Sequence, residues 1–523
     1  MRVVFKDLLG RLPGTARLYD LARPDRPRTR YNLEQLAQHL DGAVADVRQS
    51  SESPGAGRRL LLFATLHYWI EQAAMVGLAL RGMGNVVSLA YLPYSSWERE
   101  INELDLRRQD LYTRRVLTPL AGLMETTSLL HVKPAPRIPA PLESAVERAC
   151  DFDVMYSLQV EQVDRRSDLY RLRMRRNREA CLRSLTLLQQ VRPDAVLVPN
   201  GLVTELGVVY QVARHLGIRT ITYEFNDQRE QIWLAQNDIV MHQDTDSLWK
   251  ARSERNLTAR QRAKMAALER ARSGGTTYAK GTRAWQDAPA EGSGPQRGRL
   301  GLDSRPVGLL ATNVLGDSLT LGRNLFAKSM EEWIFRTVQY FVHRPEAQLV
   351  IRVHPGERLI KGPSMVGVIR RAAPKNPENI HVIAATDKTN TYDLMGLAEF
   401  GLAYTTTVGL EMALRGLPVI VAGRTHFRGR GFTLDPDSWD EYYATLDRVL
   451  ADPRRDRLSG RQTRAAWNYA YRFFFEYPFD FPWRLMHLWK DVEEWPLRRV
   501  LAEEGREAFG SAFRALAGEP IHW

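Results

Sequence analysis

Between residues 60 and 92 the chain runs through a short apolar stretch, an amphipathic stretch and a second apolar one. This pattern constrains the fold more than any other feature. LLLFATL (60–66) reads as a buried strand, IEQAAMVGLALRGMG (70–84) as a helix ending in glycines, and NVVSLAYL (85–92) as the next strand. Strands joined through a helix lie parallel, and parallel sheets carry helices on their faces. The unit recurs as AVLVPNG, TELGVVYQVARHLG and IRTITYEF (195–225). It returns after residue 306 with the strands PVGLLATN, AQLVIRVHP, NIHVIAA, EFGLAYT and LPVIVAG, interleaved with helical stretches.

The spacing predicts an α/β protein of two Rossmann-like domains facing a cleft. Residues 286–306, rich in Gly, Pro, Ser and charge, read as the linker. The expected divisions are an N-terminal domain over 1–300 with helical insertions and Pro-rich loops before residue 58, a second domain over 301–465, and a helical, aromatic segment over 466–523 that packs back on the first domain. Within that segment, residues 469–483 hold nine aromatics. We read the run as packing rather than as a lipid-interface belt.

Two cysteines, Cys150 and Cys181, can neither frame a disulfide scaffold nor fill a structural zinc site. No stretch is apolar enough to span a bilayer; the best, Leu60–Val87, is broken by His67, Glu71, Gln72 and Arg81. The expectation is a cytoplasmic protein, touching the inner membrane only peripherally. A net charge of +12 fits a phosphorylated substrate, an anionic leaflet or nucleic acid.

Open parallel sheets bind ligands beyond the carboxyl ends of their strands, so polar residues there are the candidates. Arg352 and His354 share one face at the end of a strand and suit a phosphate. Thr405, Thr406 and Thr407 stand where a strand gives way to a helix, whose free N–H groups favour an anion. Gly409 permits close approach, and Glu411 lies one turn beyond Thr407, where it could accept ribose hydroxyls. Arg424 and His426 belong to a glycine-rich basic loop, GRTHFRGRGF, after the last strand. Asn200, Gly201 and Glu205, Thr312, Asn313, Asp317 and Ser318, and His67 with Glu71 follow other strands. No phosphate-binding loop, HExxH, GxSxG or dinucleotide fingerprint occurs. Asp151-Phe152-Asp153 has a metal-binding spacing but falls in a helical region, and no metal site is expected.

RVHPGE (352–357), TYDLM (391–395) and YTTTVGLEMALRGLPVIVAGRTHFRGRGFT (404–433) together resemble the capsular polysaccharide biosynthesis family of GT-B glycosyltransferases, related to bacterial β-Kdo transferases. LLATNVLGDSLTLGRN and PNGLVTELGVVYQVARHLGIRTITYE are similar to that wider group. The resemblance implies a GT-B fold, and a donor nucleotide held by His354, Thr406, Thr407 and Glu411. Arg352, Arg424 and His426 join that set by position and charge. It implies a nucleotide-sugar donor, a CMP-sugar such as CMP-Kdo, with UDP- and GDP-sugars open; a surface polysaccharide or glycolipid acceptor; and no cofactor or metal. Glu224, Glu205 and His67 are the candidate bases for the acceptor hydroxyl. Competing readings are a sugar-nucleotide epimerase on the same fold, a non-catalytic scaffold, and a basic nucleic-acid-binding protein using its Arg-Gly loop.

Overall fold

The structure is a computed structural model that describes residues 2–12, 14–22, 31–50, 57–226, 230–278, 284, 286–360 and 362–523. Much of the Pro-rich sequence expected before residue 58, at 23–30 and 51–56, lies outside the described residues.

Among the described residues twelve strands form two sheets: β1 (Arg59–Thr65), β2 (Val86–Leu92), β3 (Met124–Ser128), β4 (Ala195–Pro199), β5 (Arg219–Phe225), β6 (Gln231–Gln236), β7 (Val307–Ala311), β8 (Gln348–Arg352), β9 (Ile380–Ile383), β10 (Phe400–Ala403), β11 (Val419–Val421) and β12 (Phe479–Asp480). The first sheet runs β12-β6-β5-β4-β1-β2-β3 and the second β11-β10-β7-β8-β9. The second is parallel throughout; the first is parallel from β5 to β3, with β6 and β12 added antiparallel at one edge. Within each sheet the five parallel strands follow the chain order 3-2-1-4-5, the doubly wound order of a Rossmann domain. The molecule is therefore the expected pair of Rossmann-like domains in a GT-B type arrangement.

The central strands are apolar on both faces because helices cover both. Leu60 to Ala64 are all buried, and so are Leu309 and Leu310. The helix His67–Gly82 is buried along nearly its whole length. The helix Leu497–Leu501 packs against it, and together with Glu503–Leu516 brings Leu497, Val500, Leu501, Phe509 and Phe513 into the first domain's core. At Gly82 an added methyl would sit 2.7 Å from Leu501.

The aromatic run makes the return crossing. Tyr469, Phe473, Phe474 and Tyr477 pack with residues of both domains, and Phe481 and Trp483 enter the first core. Residues Arg472–Glu476 form one π-helical turn, which re-aims the phenylalanines that follow Tyr471. Packing, rather than exposure, is where these rings go.

Several elements escape the sequence pattern. β3 (METTS) and β6 (QIWLAQ) are short and half polar, and the helix Met365–Ala372, which buries Met365, Val368, Ile369 and Ala372 at helical spacing, is only eight residues long. The expected linker holds a short helix, Ser293–Arg299, tied down by the Asp393 carboxylate, which accepts from the Glu291 and Gly292 amides at 3.0 and 2.8 Å. The helix Ala259–Ser273 precedes that linker yet packs on Gly460–Tyr471 of the second half.

Candidate active site

In both sheets the chain order reverses beside the first strand, between β1 and β4 and between β7 and β10. A cavity of about 410 Å³ lies where these two switch points face each other, a size suited to a small-molecule ligand. Its lining comes from loops after β4, β7, β8, β10 and β11, from the end of β5, from Tyr156, Trp233, Met241, Gln243 and Arg272, and from Phe473 and Phe474 of the crossing segment.

On the first-domain side stand Asn200 and Glu224. The chain leaves β4 through two residues in the left-handed region, Asn200 (φ 59°) and Gly201 (φ 78°). Asparagine tolerates this conformation and glycine adopts it without strain. An added methyl on Gly201 would lie 2.5 Å from Thr222, so Gly201 serves backbone packing and stays out of the lining. The turn points the Asn200 amide at Glu224: Nδ2 donates to Oε2 at 3.1 Å, while the Phe225 amide donates to Oε1 at 3.0 Å. Burial raises the Glu224 carboxyl above the usual carboxylate range, and these two donors pull it partly back. Tyr156 lines the same wall, and burial together with Asp317 and Glu224 pushes its phenol up to about 12.

The second-domain side is cationic and hydroxyl-rich. Asn313 Oδ1 accepts from the Thr405 amide at 3.3 Å, tying the β7 and β10 loops together. Thr405, Thr406 and Thr407 all line the cavity, and Thr406 Oγ1 accepts from the Val408 amide at 3.3 Å. His354 lines it as well. Its Nδ1 accepts from the Gly356 amide at 3.0 Å, which places the neutral ring's proton on Nε2. Three arginines complete the wall: Arg272, Arg323 and Arg424. Arg424 is exposed at the mouth. Arg323 donates to the Met241 carbonyl, and burial lowers it to about 10, so it stays charged at neutral pH.

Several expected residues belong elsewhere. Glu205 lies outside the cavity, fully buried with Arg173, whose Nη2 stands 3.0 Å from its carboxylate. Arg173 also donates to Asp153 at 3.0 Å, and Asp151 pairs with Arg165 at 2.7 Å, so the DFD triplet is spent on arginines. The His67 ring packs edge-on between Tyr31 and Tyr68, and burial lowers its pKa. Glu71 accepts from the Trp489 indole at 3.3 Å, and burial pushes its carboxyl up to about 7. None of these lines the cavity.

The donor-side set divides in the same way. Arg352 turns from the cavity and donates to the Ala384 and Asp387 carbonyls at 2.8 and 3.2 Å, which fixes the turn after β9. Thr312 is buried, and its hydroxyl accepts from the His354 amide at 3.0 Å. Gly409 makes room for protein, since a methyl there would meet Ala403 at 2.9 Å and Phe427 at 3.0 Å. His426 is fully buried, its ring stacked 3.7 Å from Phe473 and held neutral by desolvation. Arg428 and Arg430, the other cations of that loop, are bound to Asp437 and Asp246.

Glu411 is the largest departure from expectation. Its carboxylate pairs with Arg272 at 2.5 Å and accepts from the Tyr392 hydroxyl at 2.9 Å, with no place in the cavity lining. The Arg272 guanidinium also lies 4.4 Å over the Phe474 ring. Glu411 thus holds an arginine at the cavity wall instead of presenting a free carboxylate. Glu411→Ala is accordingly expected to cost roughly 3–5 kcal/mol without any ligand, because it removes the carboxylate paired with a buried guanidinium. Chemical denaturation of both proteins without nucleotide measures it, and an unchanged midpoint would refute the pairing.

Sequence reasoning missed Arg272, Arg323, Tyr156, Phe473 and Phe474. Their place in the lining depends on which distant segments the fold brings together, for which the sequence carries no local signal.

Among the described residues no helix is long and apolar enough to cross a membrane. No protein-family model matches the chain, and no curated protein matches it. Among solved structures, a Thermosulfurimonas dismutans KpsC β-Kdo 2,4-transferase is similar at 18% identity and a TM-score of 0.33, over 52% of this chain and 78% of that one. The β-Kdo 2,7-transferase KpsC from the same organism gives 14% and 0.35, over 60% and 89%. A UDP-GlcNAc 2-epimerase from Neisseria meningitidis bound to UDP-GlcNAc gives 13% and 0.26, over 80% and 98%.

Proposed function

We propose that the protein is a nucleotide-sugar-dependent glycosyltransferase, with Glu224 as the base that activates the acceptor. The observation that carries this reading is the polarity of the cavity. Arg272, Arg323, Arg424 and His354 stand on one wall, and a desolvated carboxylate held by Asn200 stands on the other. The cationic wall stabilises the negative charge that develops on a leaving nucleotide phosphate. As the acceptor hydroxyl oxygen bonds to the anomeric carbon, its proton passes to Glu224, and the bond from that carbon to the phosphate oxygen breaks with its electron pair. In this reading the arginines neutralise the leaving group and no cofactor is required. A CMP-linked sugar such as CMP-Kdo is the favoured donor, and a surface polysaccharide or glycolipid the favoured acceptor. Thr405–Thr407 and Asn313 fit the nucleotide side.

Thermal unfolding against CMP, UDP, GDP, ADP and their sugar conjugates tests the donor site. A ligand at about 100 times its Kd adds about 2.7 kcal/mol of stability. Arg424→Ala, at an exposed position, is expected to leave the free protein's Tm unchanged and to weaken the responding nucleotide about 10- to 100-fold, the loss of a charge-assisted contact. Product analysis with the responding sugar nucleotide then separates the chemistries. Transfer to an added glycan supports the reading, whereas an altered sugar nucleotide without acceptor would replace it with an epimerase. No stabilisation by any nucleotide would remove it.

A further inference from the structure

The helices Arg2–Arg11 and Thr15–Ala22 have one face that packs on the protein and, among the described residues, one that is exposed. On the covered face, Gly10 lies against the helix Glu103–Val116, where an added methyl would come within 2.4 Å of the Leu104 backbone. Asp7 accepts from the Glu103 amide at 2.8 Å, and Lys6 pairs with Asp105 at 2.9 Å. Ala16 is buried, and the Arg108 guanidinium lies 4.4 Å over the Tyr19 ring. These contacts fix the orientation of both helices.

The other face presents leucines to solvent. Leu8, Leu12, Leu18 and Leu21 are 63, 54, 67 and 77% exposed. With Tyr19 they make five of the eleven exposed large hydrophobics among the described residues, gathered in fourteen consecutive positions while the rest are scattered. Single exposed leucines are ordinary, but a cluster on helices whose opposite faces are already docked marks an interaction surface. Arg11 and Arg17 are exposed on the same stretch. By sequence, residues 1–30 carry eight Lys or Arg against three Asp or Glu, so five of the chain's twelve net positive charges fall in its first thirty residues.

We propose that the exposed face of these two helices docks on an anionic phospholipid bilayer. Leucines would enter the acyl boundary while arginines stay at headgroup level, where their charge meets anionic lipid. Interleaved charge and leucine fit a headgroup layer better than an apolar protein groove, in which each arginine would need its own buried partner. The surface stands apart from the cleft, so the proposal does not depend on the reading of the active site.

Co-sedimentation of the full chain tests it, using phosphatidylcholine vesicles with and without about one-third phosphatidylglycerol. Binding is expected only with the anionic lipid, and it should weaken as salt is raised. The variant L8Q/L12Q/L18Q/L21Q is expected to bind at least ~10-fold less, and R11Q/R17Q to weaken binding to the anionic vesicles by a smaller factor. An unchanged Tm in both variants shows that the fold survives. Wild-type protein that stays in the supernatant would overturn the proposal, and so would binding that the leucine variant retains. Concentration-dependent dimerisation abolished by the leucine changes, without vesicle binding, would assign the patch to a second copy of the chain instead.

Discussion

Glutamine in place of Glu224 is expected to slow turnover by about 10²–10⁴-fold, the usual contribution of a positioned general base. The nucleotide-dependent Tm shift should survive, because the arginines and His354 proposed to hold the phosphate line the other side of the cavity. Glutamine keeps the size of the side chain but offers one acceptor to the two donors, Asn200 Nδ2 and the Phe225 amide. The wild-type pH profile carries its own signature. Burial raises the Glu224 carboxyl, so the base form accumulates only as pH climbs past the ordinary carboxylate range. Turnover should rise with pH through that raised value, and the rising limb should vanish in E224Q. For folding the same shift has the opposite sign: the stability that Glu224 contributes is fully present below its unfolded pKa and is lost as pH rises through the folded one. A variant with wild-type kcat would remove Glu224 from the chemistry and leave the cleft without its base.

Arg173→Met is expected to cost about 3–5 kcal/mol. Arg173 is fully buried between Asp153 and Glu205, and removing it leaves two buried carboxylates without the cation that pairs with both. Burial already raises Asp153 in the intact protein, and loss of the arginine would raise it further. The deficit should therefore be greatest at neutral pH and shrink as acid neutralises the pair. Urea unfolding of both proteins at pH 5 and pH 8 reads this difference directly; equal deficits at the two values would refute it. Asp153 also accepts from the Thr204 amide, and Thr204 has a left-handed backbone, φ 56°. The buried triad thus pins the loop that begins at Asn200, and R173M should lower kcat by displacing the amide that orients Glu224.

The fold was legible where apolar runs of five or more residues alternate with helix-period stretches, as in LLLFATL and AVLVPNG. It was not legible at METTS or QIWLAQ, edge-side strands whose pairing depends on neighbours rather than on their own residues. The candidate site divides on similar grounds. Asn200, Asn313, His354, Thr406, Thr407 and Arg424 were found because doubly wound sheets place ligands beyond strand ends, and all six line the cavity. Glu205, Glu411, Arg352 and His426 satisfy the same rule by position, but each is engaged by a partner that local spacing does not announce. Arg173 stands 32 positions from Glu205, and Arg272 stands 139 from Glu411. A carboxylate at a strand end therefore reads alike whether it awaits a substrate or already holds an arginine, and only the tertiary pairing tells the two apart.

The placing of β12 beside β6 has a consequence for how the protein is made. Phe479 pairs with Ile232, yet follows it by 247 residues. At about 5–20 residues per second of synthesis, β6 waits some 12–50 s before its edge partner is made. Until then the outer edge of the first sheet is an open template for strand addition, and the helix His67–Gly82 lacks the cover of Leu501. The first domain therefore cannot finish folding as it is translated; it completes only after the second has been made. Fragments ending before residue 479 should be captured by chaperones or aggregate, even though they contain every parallel strand of that sheet.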